Sequence, residues 1–237
     1  MVDPNILEKV PSLVAEYNKE DDTYTRMVPI ILKKGLDNMS LAMFPEHMQN
    51  GLLNAVGDEL VKKGRTDEAI QAFLKARNRD KLISIGDNFR NINMFTQAID
   101  CYQHAKANDK LLQTGELCLR EGQMTDAIRA FQLVEDKAKL LLVGDECVKR
   151  EKFESAVEVF KFLENREKLK MVGDMCIKHD QLIQGAKAFE LAGAMDKLNT
   201  VGDIFMQKEQ LNNAYEVYKS ANNQVMIEFL RENFKMM

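Results

Sequence analysis

A glycine recurs every 29 residues through most of this 237-residue chain. The six glycines at this interval are Gly57, Gly86, Gly115, Gly144, Gly173 and Gly202. An acidic residue follows each of them directly, and a Lys-Leu pair begins five positions before the last five. Twelve positions after each glycine stands a small residue, and sixteen positions after it stands an aromatic one. Such a regular period without insertions indicates stacked copies of one short structural unit.

Each 29-residue unit has the pattern of two short helices. In residues 144–172, Val157, Phe160 and Leu163 recur at helical spacing, and the polar stretch 164–167 interrupts them. A second helix is predicted from about Lys168 through the next glycine to Ile177. Connections this short make neighbouring helices antiparallel. With only 4 prolines in the chain and an excess of good helix formers, the sequence predicts an all-α fold.

The repeated glycine falls inside a helix, where glycine costs roughly 1 kcal/mol relative to alanine. Repetition of this cost at one structural position predicts a close contact. We expect the glycine to approach the small residue of the second helix, for example Ala156 after Gly144. The aromatic residue one turn later is expected to fill the space between successive pairs.

The segment GDELVKKGRTDEAIQAFLKA, residues 57–76, resembles a tetratricopeptide repeat, and Gly64 and Gly122 match the small residue at that family's turn between the two helices. The resemblance extends from residue 57 to about residue 223. The period of 29 is shorter than the 34 residues of that family, and it is similar to the compact helix-pair repeats of vesicle-coat and intraflagellar-transport proteins. The resemblance implies a right-handed α-solenoid that binds other proteins.

Three regions are predicted along the chain. Residues 1–56 form an N-terminal helical cap, with a helix over residues 5–18 and a degenerate repeat over Val28–Val56, in which Gly35 and Phe44 match the turn glycine and the aromatic residue. Residues 57–223 hold six tetratricopeptide-like repeats. Residues 224–237 form a last helix whose apolar residues surround much of its circumference, so it either contacts a partner or continues into a longer chain.

The composition argues against several functions. A net charge of −4 without a long run of Lys or Arg disfavours nucleic-acid binding. No stretch reaches the roughly 18 to 20 apolar residues that span a bilayer, and the N-terminus lacks the pattern of a signal peptide. We therefore expect a cytoplasmic protein that is not inserted in a membrane.

Cysteines and histidines offer no catalytic or metal-binding pattern. Cys118, Cys147 and Cys176 occupy the same position in successive units, where other units carry Leu60, Phe89 and Phe205, and Cys101 occupies the apolar column of Ala72 and Ala130. All four are expected in the core. His104 and His179 fall near helix ends and are expected at the surface, and His47 likewise stands alone. No cofactor, metal or enzymatic activity is predicted.

The acidic column is the candidate for function. It lies on the first helix of each unit, which lines the concave face in arrays of the family that the chain resembles. Four residues after each acid a basic or amide residue recurs, so the column either forms ion pairs along each helix and between neighbouring units, or holds a charged peptide. The candidate partner-binding residues are Asp87, Glu116, Arg120, Asp145, Lys149, Asp174 and Lys178. Methionines near the N-terminus (Met27, Met39, Met43 and Met48) are expected to fill the core rather than to form an adaptable binding surface.

These patterns predict a non-catalytic scaffold or adaptor that belongs to a larger complex. The alternative is a chaperone-like or regulatory module that sequesters a peptide or a client protein. RNA binding by a helical repeat is a third possibility, and the charge disfavours it.

Overall fold

The computed structural model describes residues 24, 26–38 and 40–234. The described residues form helices joined by short connections, and no strand occurs among them. They are α1 (26–34), a 3-10 turn (Leu36–Asn38), α2 (Glu46–Lys62), α3 (Thr66–Lys75), α4 (Arg79–Asn91), α5 (Phe95–His104), α6 (Asn108–Glu121), α7 (Met124–Leu133), α8 (Lys137–Lys149), α9 (Phe153–Phe162), α10 (Arg166–Lys178), α11 (Leu182–Ala192), α12 (Met195–Gln207), α13 (Leu211–Ser220) and α14 (Gln224–Phe234). The predicted all-α arrangement of helix pairs is confirmed.

The chain divides into two compact units, residues 1–111 and residues 112–237. In the first unit α2 packs against α3 and α4 packs against α5. In the second unit α8 packs against α9, α10 against α11 and α12 against α13, and α14 packs on α13. Connections of two or three residues make the members of each pair antiparallel.

Both kinds of turn contain one residue in the left-handed backbone region. Within pairs these are Gly35, Gly64, Asn93, Gly122, Glu151, Asp180 and Glu209, and between pairs they are Arg77, Lys106, Glu135, Glu164, Gly193 and Asn222. Each series has the 29-residue period of the repeat. A single left-handed residue lets a helix end and the chain reverse within three residues. The predicted turn role of Gly64 and Gly122 is confirmed.

Several first helices of a pair begin at a polar cap. The side chains of Asn78, Asp136 and Asn165 each accept a hydrogen bond from the backbone N–H three residues later, at Lys81, Lys139 and Lys168. Such a cap satisfies one of the backbone N–H groups that a helix start leaves without a partner. These caps fix where the helices that carry the Lys-Leu pair begin.

The residue that comes closest to each repeat glycine is the aromatic one, whereas the sequence predicted the small residue of the second helix. A Cβ on any of the six glycines would lie 2.5–2.7 Å from the nearest ring carbon of the aromatic residue sixteen positions later. Gly144, for example, faces Phe160 of the same pair, so the aromatic ring rather than the small residue requires the glycine. The small residue lies nearby: a Cβ at Gly185 would be 3.4 Å from the carbonyl oxygen of Gly173. The predicted close approach of the two helices is confirmed. The Phe160 ring meets the glycine of its own pair, and its centroid also lies 5.9 Å from the ammonium nitrogen of Lys168 on the next pair.

The described residues of the degenerate repeat form a first helix and no second α-helix. In the segment where the second helix would follow Gly35, residues 36–38 form a 3-10 turn, residues 40–45 are irregular, and α2 begins only at Glu46. Phe44 therefore lies outside a helix. Gly51 takes part in a contact of its own, because a Cβ there would lie within 3 Å of the Tyr24 ring. The predicted helix over residues 5–18 and Met39 lie outside the described residues.

The last helix, α14, stands where a seventh unit would have its first helix. Ile227 and Leu230 are buried, whereas Val225, Phe229 and Phe234 are exposed, which confirms that apolar residues occupy several sides. Arg231 occupies the glycine column, and its guanidinium donates a 2.7 Å hydrogen bond to the Tyr215 hydroxyl. Residues 235–237 lie outside the described part of the chain.

Candidate functional site

The acidic column joins successive helix pairs through the lysine of the Lys-Leu motif. Five of the six acids accept a hydrogen bond from the lysine 23 positions later. The pairs are Asp58–Lys81 (2.6 Å), Asp87–Lys110 (2.9 Å), Glu116–Lys139 (2.6 Å), Asp145–Lys168 (2.7 Å) and Asp174–Lys197 (2.8 Å). The cross-links expected between neighbouring units are therefore present. The expected pairs between an acid and the residue four positions later are not among the ion pairs of the described residues.

A tyrosine hydroxyl adds to the column where the aromatic residue is Tyr. Tyr102 donates a 2.7 Å hydrogen bond to Asp87, and Tyr218 donates a 2.6 Å hydrogen bond to Asp203, which has Met226 rather than lysine 23 positions later. Burial acts to raise the pKa of Asp87, but the hydrogen bonds from Lys110 and Tyr102 outweigh it and the pKa is lowered. Burial, together with the bond to an acid, raises the pKa of both tyrosines.

An open groove of about 750 Å³ crosses α6, α8 and α10, which are the first helices of three successive helix pairs. Its apolar surface comes from Leu119, Leu142, Val148 and Met171. Leu142 is 60% exposed and Met171 is 39% exposed. Both stand two positions before a repeat glycine. At this position the other four 29-residue repeats carry small or polar residues (Ala55, Ser84, Gln113 and Thr200). Among the six repeats, large apolar side chains occur in this column only in these two neighbouring pairs, and Phe229 takes the same position on α14.

Charged side chains surround this apolar surface. The groove is lined by the cations Arg120, Lys149, Arg150 and Lys168 and by the acids Asp145 and Glu146. Asp145 is paired with Lys168. Glu146 accepts a 2.8 Å hydrogen bond from Arg150 and lies 3.7 Å from the ammonium group of Lys149. The pKa of Glu146 is lowered, mainly because its carboxylate accepts this hydrogen bond from Arg150.

Three of the seven candidate residues meet in this groove, namely Arg120, Asp145 and Lys149. Glu116 and Asp174 lie on α6 and α10 without lining it, and Lys178 is exposed at the end of α10. Asp87 lies in the first unit. The sequence reasoning missed the four apolar lining residues, although the exceptional Leu142 and Met171 in an otherwise small or polar column were a visible signal.

The cysteines and histidines occupy the positions expected of them. All four cysteines are buried and free, and burial raises the pKa of the Cys118 thiol to about 12 and that of Cys176 to about 11. His104 and His179 are exposed. Within the described ranges, no three His, Cys, Asp or Glu side chains come together as a metal site would need.

A sequence profile of the tetratricopeptide repeat matches residues 51–80, which hold most of α2 and all of α3. The same pairing of helices, with the same contact between glycine and aromatic ring, recurs in the following pairs. The chain is a tetratricopeptide-like helical repeat. No curated protein matches this repeat chain in sequence. Among its described helices, none combines the length and the hydropathy needed to cross a membrane.

Proposed function

We propose that this chain is a non-catalytic scaffold that binds a segment of another protein in the groove across α6, α8 and α10. The observation that carries the proposal is the exposure of Leu142 and Met171 side by side on an open surface. Clustered exposed apolar side chains with a polar rim are typical of sites where proteins bind one another. Stacked helix pairs provide extended surfaces of this kind.

The chemistry of the groove favours recognition over catalysis. Both of its acids are held in ion pairs, Asp145 to Lys168 on the next pair and Glu146 to Arg150 at the end of α8. The four thiols of the chain are buried and their pKa values are raised, so none is a ready nucleophile at neutral pH. Free thiols also fit a reducing compartment, and we propose that the scaffold acts in the cytoplasm as part of a larger complex.

Two further surfaces belong to the proposal. Glu116, Asp174 and Lys178 lie on helices that also line the groove, and we expect them to contact a partner segment longer than the groove. Asp87 is the corresponding candidate in the first unit. The exposed side of α14, with Val225 and Phe229, is the second candidate contact.

Site-specific photo-crosslinking in the native cell tests where the partner binds. A photoreactive residue replaces Leu142 in the groove or, as the matched control, Ile183 on α11, which is 65% exposed against 60% for Leu142. We expect a small set of defined proteins to be crosslinked from position 142 and not from position 183. A third probe at Val225 tests α14.

The pattern of crosslinked proteins also separates the scaffold from its alternative. A chaperone-like module that sequesters clients would give many unrelated proteins from position 142, whereas a scaffold gives few. Defined crosslinks from position 183 and none from position 142 would move the partner to the second helices and contradict the proposed groove.

A further inference from the structure

We propose that the segment bound in this groove is acidic and amphipathic, a short stretch in which Asp or Glu side chains accompany apolar ones. The inference rests on the proposed function and adds the chemistry of the partner. This partner binds the cations of the groove rather than its acids, because both lining acids are already paired within the protein, whereas Arg120 is unpaired within the described part of the chain and Lys149 is held only loosely.

The two acids of the groove are neutralised by the chain itself. Asp145 on α8 is bound to Lys168 on α10 at 2.7 Å, and that lysine begins the Lys-Leu motif of the next pair. Glu146 is bound by Arg150 at 2.8 Å. A partner that used these carboxylates would have to break an ion pair that the fold already contains, so they are poor sites for a basic segment.

One cation of the groove has no ion pair among the described residues, and a second is held only by a long contact. Arg120 on α6 forms no ion pair with any described residue, and its side chain is exposed. Lys149 on α8 is 74% exposed, and its nearest acid, at 3.7 Å, is Glu146, which Arg150 already binds. Both residues stand five positions after a repeat glycine, on neighbouring helices. With four cations against two acids in its lining, the groove carries positive charge in a chain whose net charge is −4.

The apolar surface restricts what kind of anion fits. Leu142 and Met171 gain from contact with apolar side chains, at about 25 cal/mol per Å² of apolar surface removed from water. A phosphate backbone offers no such surface, so a polyanion without apolar groups leaves half of the site unused. An acidic segment with apolar residues matches both halves.

The size of the groove suggests a short segment. Packed helices lie about 8–10 Å apart, so a groove across three of them spans about 20 Å. An extended chain advances about 3.3 Å per residue, and about six residues fill that length. A partner motif of this size, with two acids placed to meet Arg120 and Lys149, is what the geometry predicts.

Peptide display on the full chain tests both the partner class and the groove. Random 12-residue peptides are selected on the wild-type protein, on Arg120→Glu with Lys149→Glu, and on the matched control Lys161→Glu with Lys187→Glu, which makes the same change of charge at exposed lysines of α9 and α11. A fourth protein, Leu142→Gln with Met171→Gln, removes the apolar surface. Circular dichroism and urea unfolding verify that each variant is folded, and Arg120→Gln with Lys149→Gln replaces the reversal if that variant does not fold.

We expect wild-type selection to enrich peptides with acidic and apolar residues, and their affinity to fall at least tenfold on the groove-charge variant and less than twofold on the control. The affinity should also fall when salt is raised from 50 to 300 mM. Enriched peptides that are apolar without acids, and that lose binding only on the Leu142→Gln, Met171→Gln variant, would overturn the acidic partner and leave the proposed function intact. Peptides unaffected by both groove variants would contradict the groove itself. A single-stranded RNA that binds more tightly than any selected peptide, and loses binding on the groove-charge variant, would overturn the protein partner.

Discussion

Oδ1 of Asp145 on α8 accepts a 2.7 Å hydrogen bond from the ammonium group of Lys168 on α10. The two residues are 23 positions apart and belong to successive helix pairs, and the same pairing recurs at four other places in the chain. The acid is the residue that follows each repeat glycine, and the lysine is the first residue of the Lys-Leu motif. Two of the most regular sequence positions therefore bind each other. The repeated sequence therefore specifies the contact between successive helix pairs as well as the packing within each pair.

A double-mutant cycle measures the strength of this junction. We expect Asp145→Asn and Lys168→Met to show a coupling free energy of about 0.5 to 1 kcal/mol in urea unfolding, because both side chains are about one-third exposed and solvent screens them. The coupling should shrink with added salt.

The control cycle uses Glu167 and Lys170, which form a 3.0 Å pair within α10 where Glu167 is 84% exposed. It should give a coupling of no more than about 0.5 kcal/mol. An equal or larger coupling in this control would mean that joining two helix pairs adds nothing to the interaction.

The glycine contact makes a prediction that opposes helix propensity. We expect Gly144→Ala to destabilise the fold by about 1 to 2 kcal/mol, even though alanine is the better helix former by about 1 kcal/mol. The new Cβ would lie 2.6 Å from a ring carbon of Phe160, which is fully buried, so the ring would have to shift within the packed core. Gly144→Leu should cost more than about 2 kcal/mol. Urea unfolding of the two variants provides the measurement.

Gly185→Ala is the matched control, since the other units carry alanine in that column and the nearest atoms to a new Cβ are 3.3 and 3.4 Å away. It should be neutral or stabilising by up to about 1 kcal/mol. If Gly144→Ala also stabilises the protein, the ring does not require the glycine.

The fold could be predicted from the sequence because every 29-residue repeat forms the same kind of helix pair. The period, the alternation of two short helices and the glycine in the first helix all follow from spacing, and the structure agrees with them. The partner of the glycine did not follow, because sequence spacing gives which residues share a face and not which of two nearby side chains, Ala156 or Phe160, comes closest to Gly144. The same limit applies to Asp145: a lysine four positions later and one 23 positions later are both plausible from spacing alone.

The sequence predicted the charged residues of the groove but not its apolar ones. Charged columns stand out because they repeat, and they led to Arg120 and Lys149. The exposed part of the apolar surface comes from two residues that break the repeat, Leu142 and Met171, and a search for regular columns does not find them. The degenerate repeat likewise has the expected Gly35 and Phe44, yet its described residues 36–38 and 40–45 form no second α-helix.

The buried thiols predict a loss of stability at alkaline pH. Burial raises the pKa of Cys118 to about 12 from an ordinary value of 9.0. Between these values the unfolded chain loses its proton while the folded chain keeps it, so the free energy of unfolding falls as the pH rises above about 9. We expect Cys118→Ala to be less stable at pH 7 because of the lost packing, but to show a smaller further decrease between pH 9 and 11. Urea unfolding at several pH values measures it, and equal slopes for both proteins would contradict the raised pKa.

The left-handed turn residues predict opposite effects for one substitution at two glutamates only six positions apart. Glu164 is the middle residue of the α9–α10 connection, where it is exposed and has a φ of 52°. This conformation costs a residue with a Cβ about 1 to 2 kcal/mol. Glycine adopts it freely, although it loses more freedom on folding, so Glu164→Gly should stabilise the fold by about 0.5 to 1 kcal/mol. Glu158 is equally exposed but lies in the middle of α9, where the same change should destabilise the fold by about 1 kcal/mol. Urea unfolding of the two variants gives the signs directly, and a loss of stability at both positions would show that the turn conformation carries no strain for glutamate.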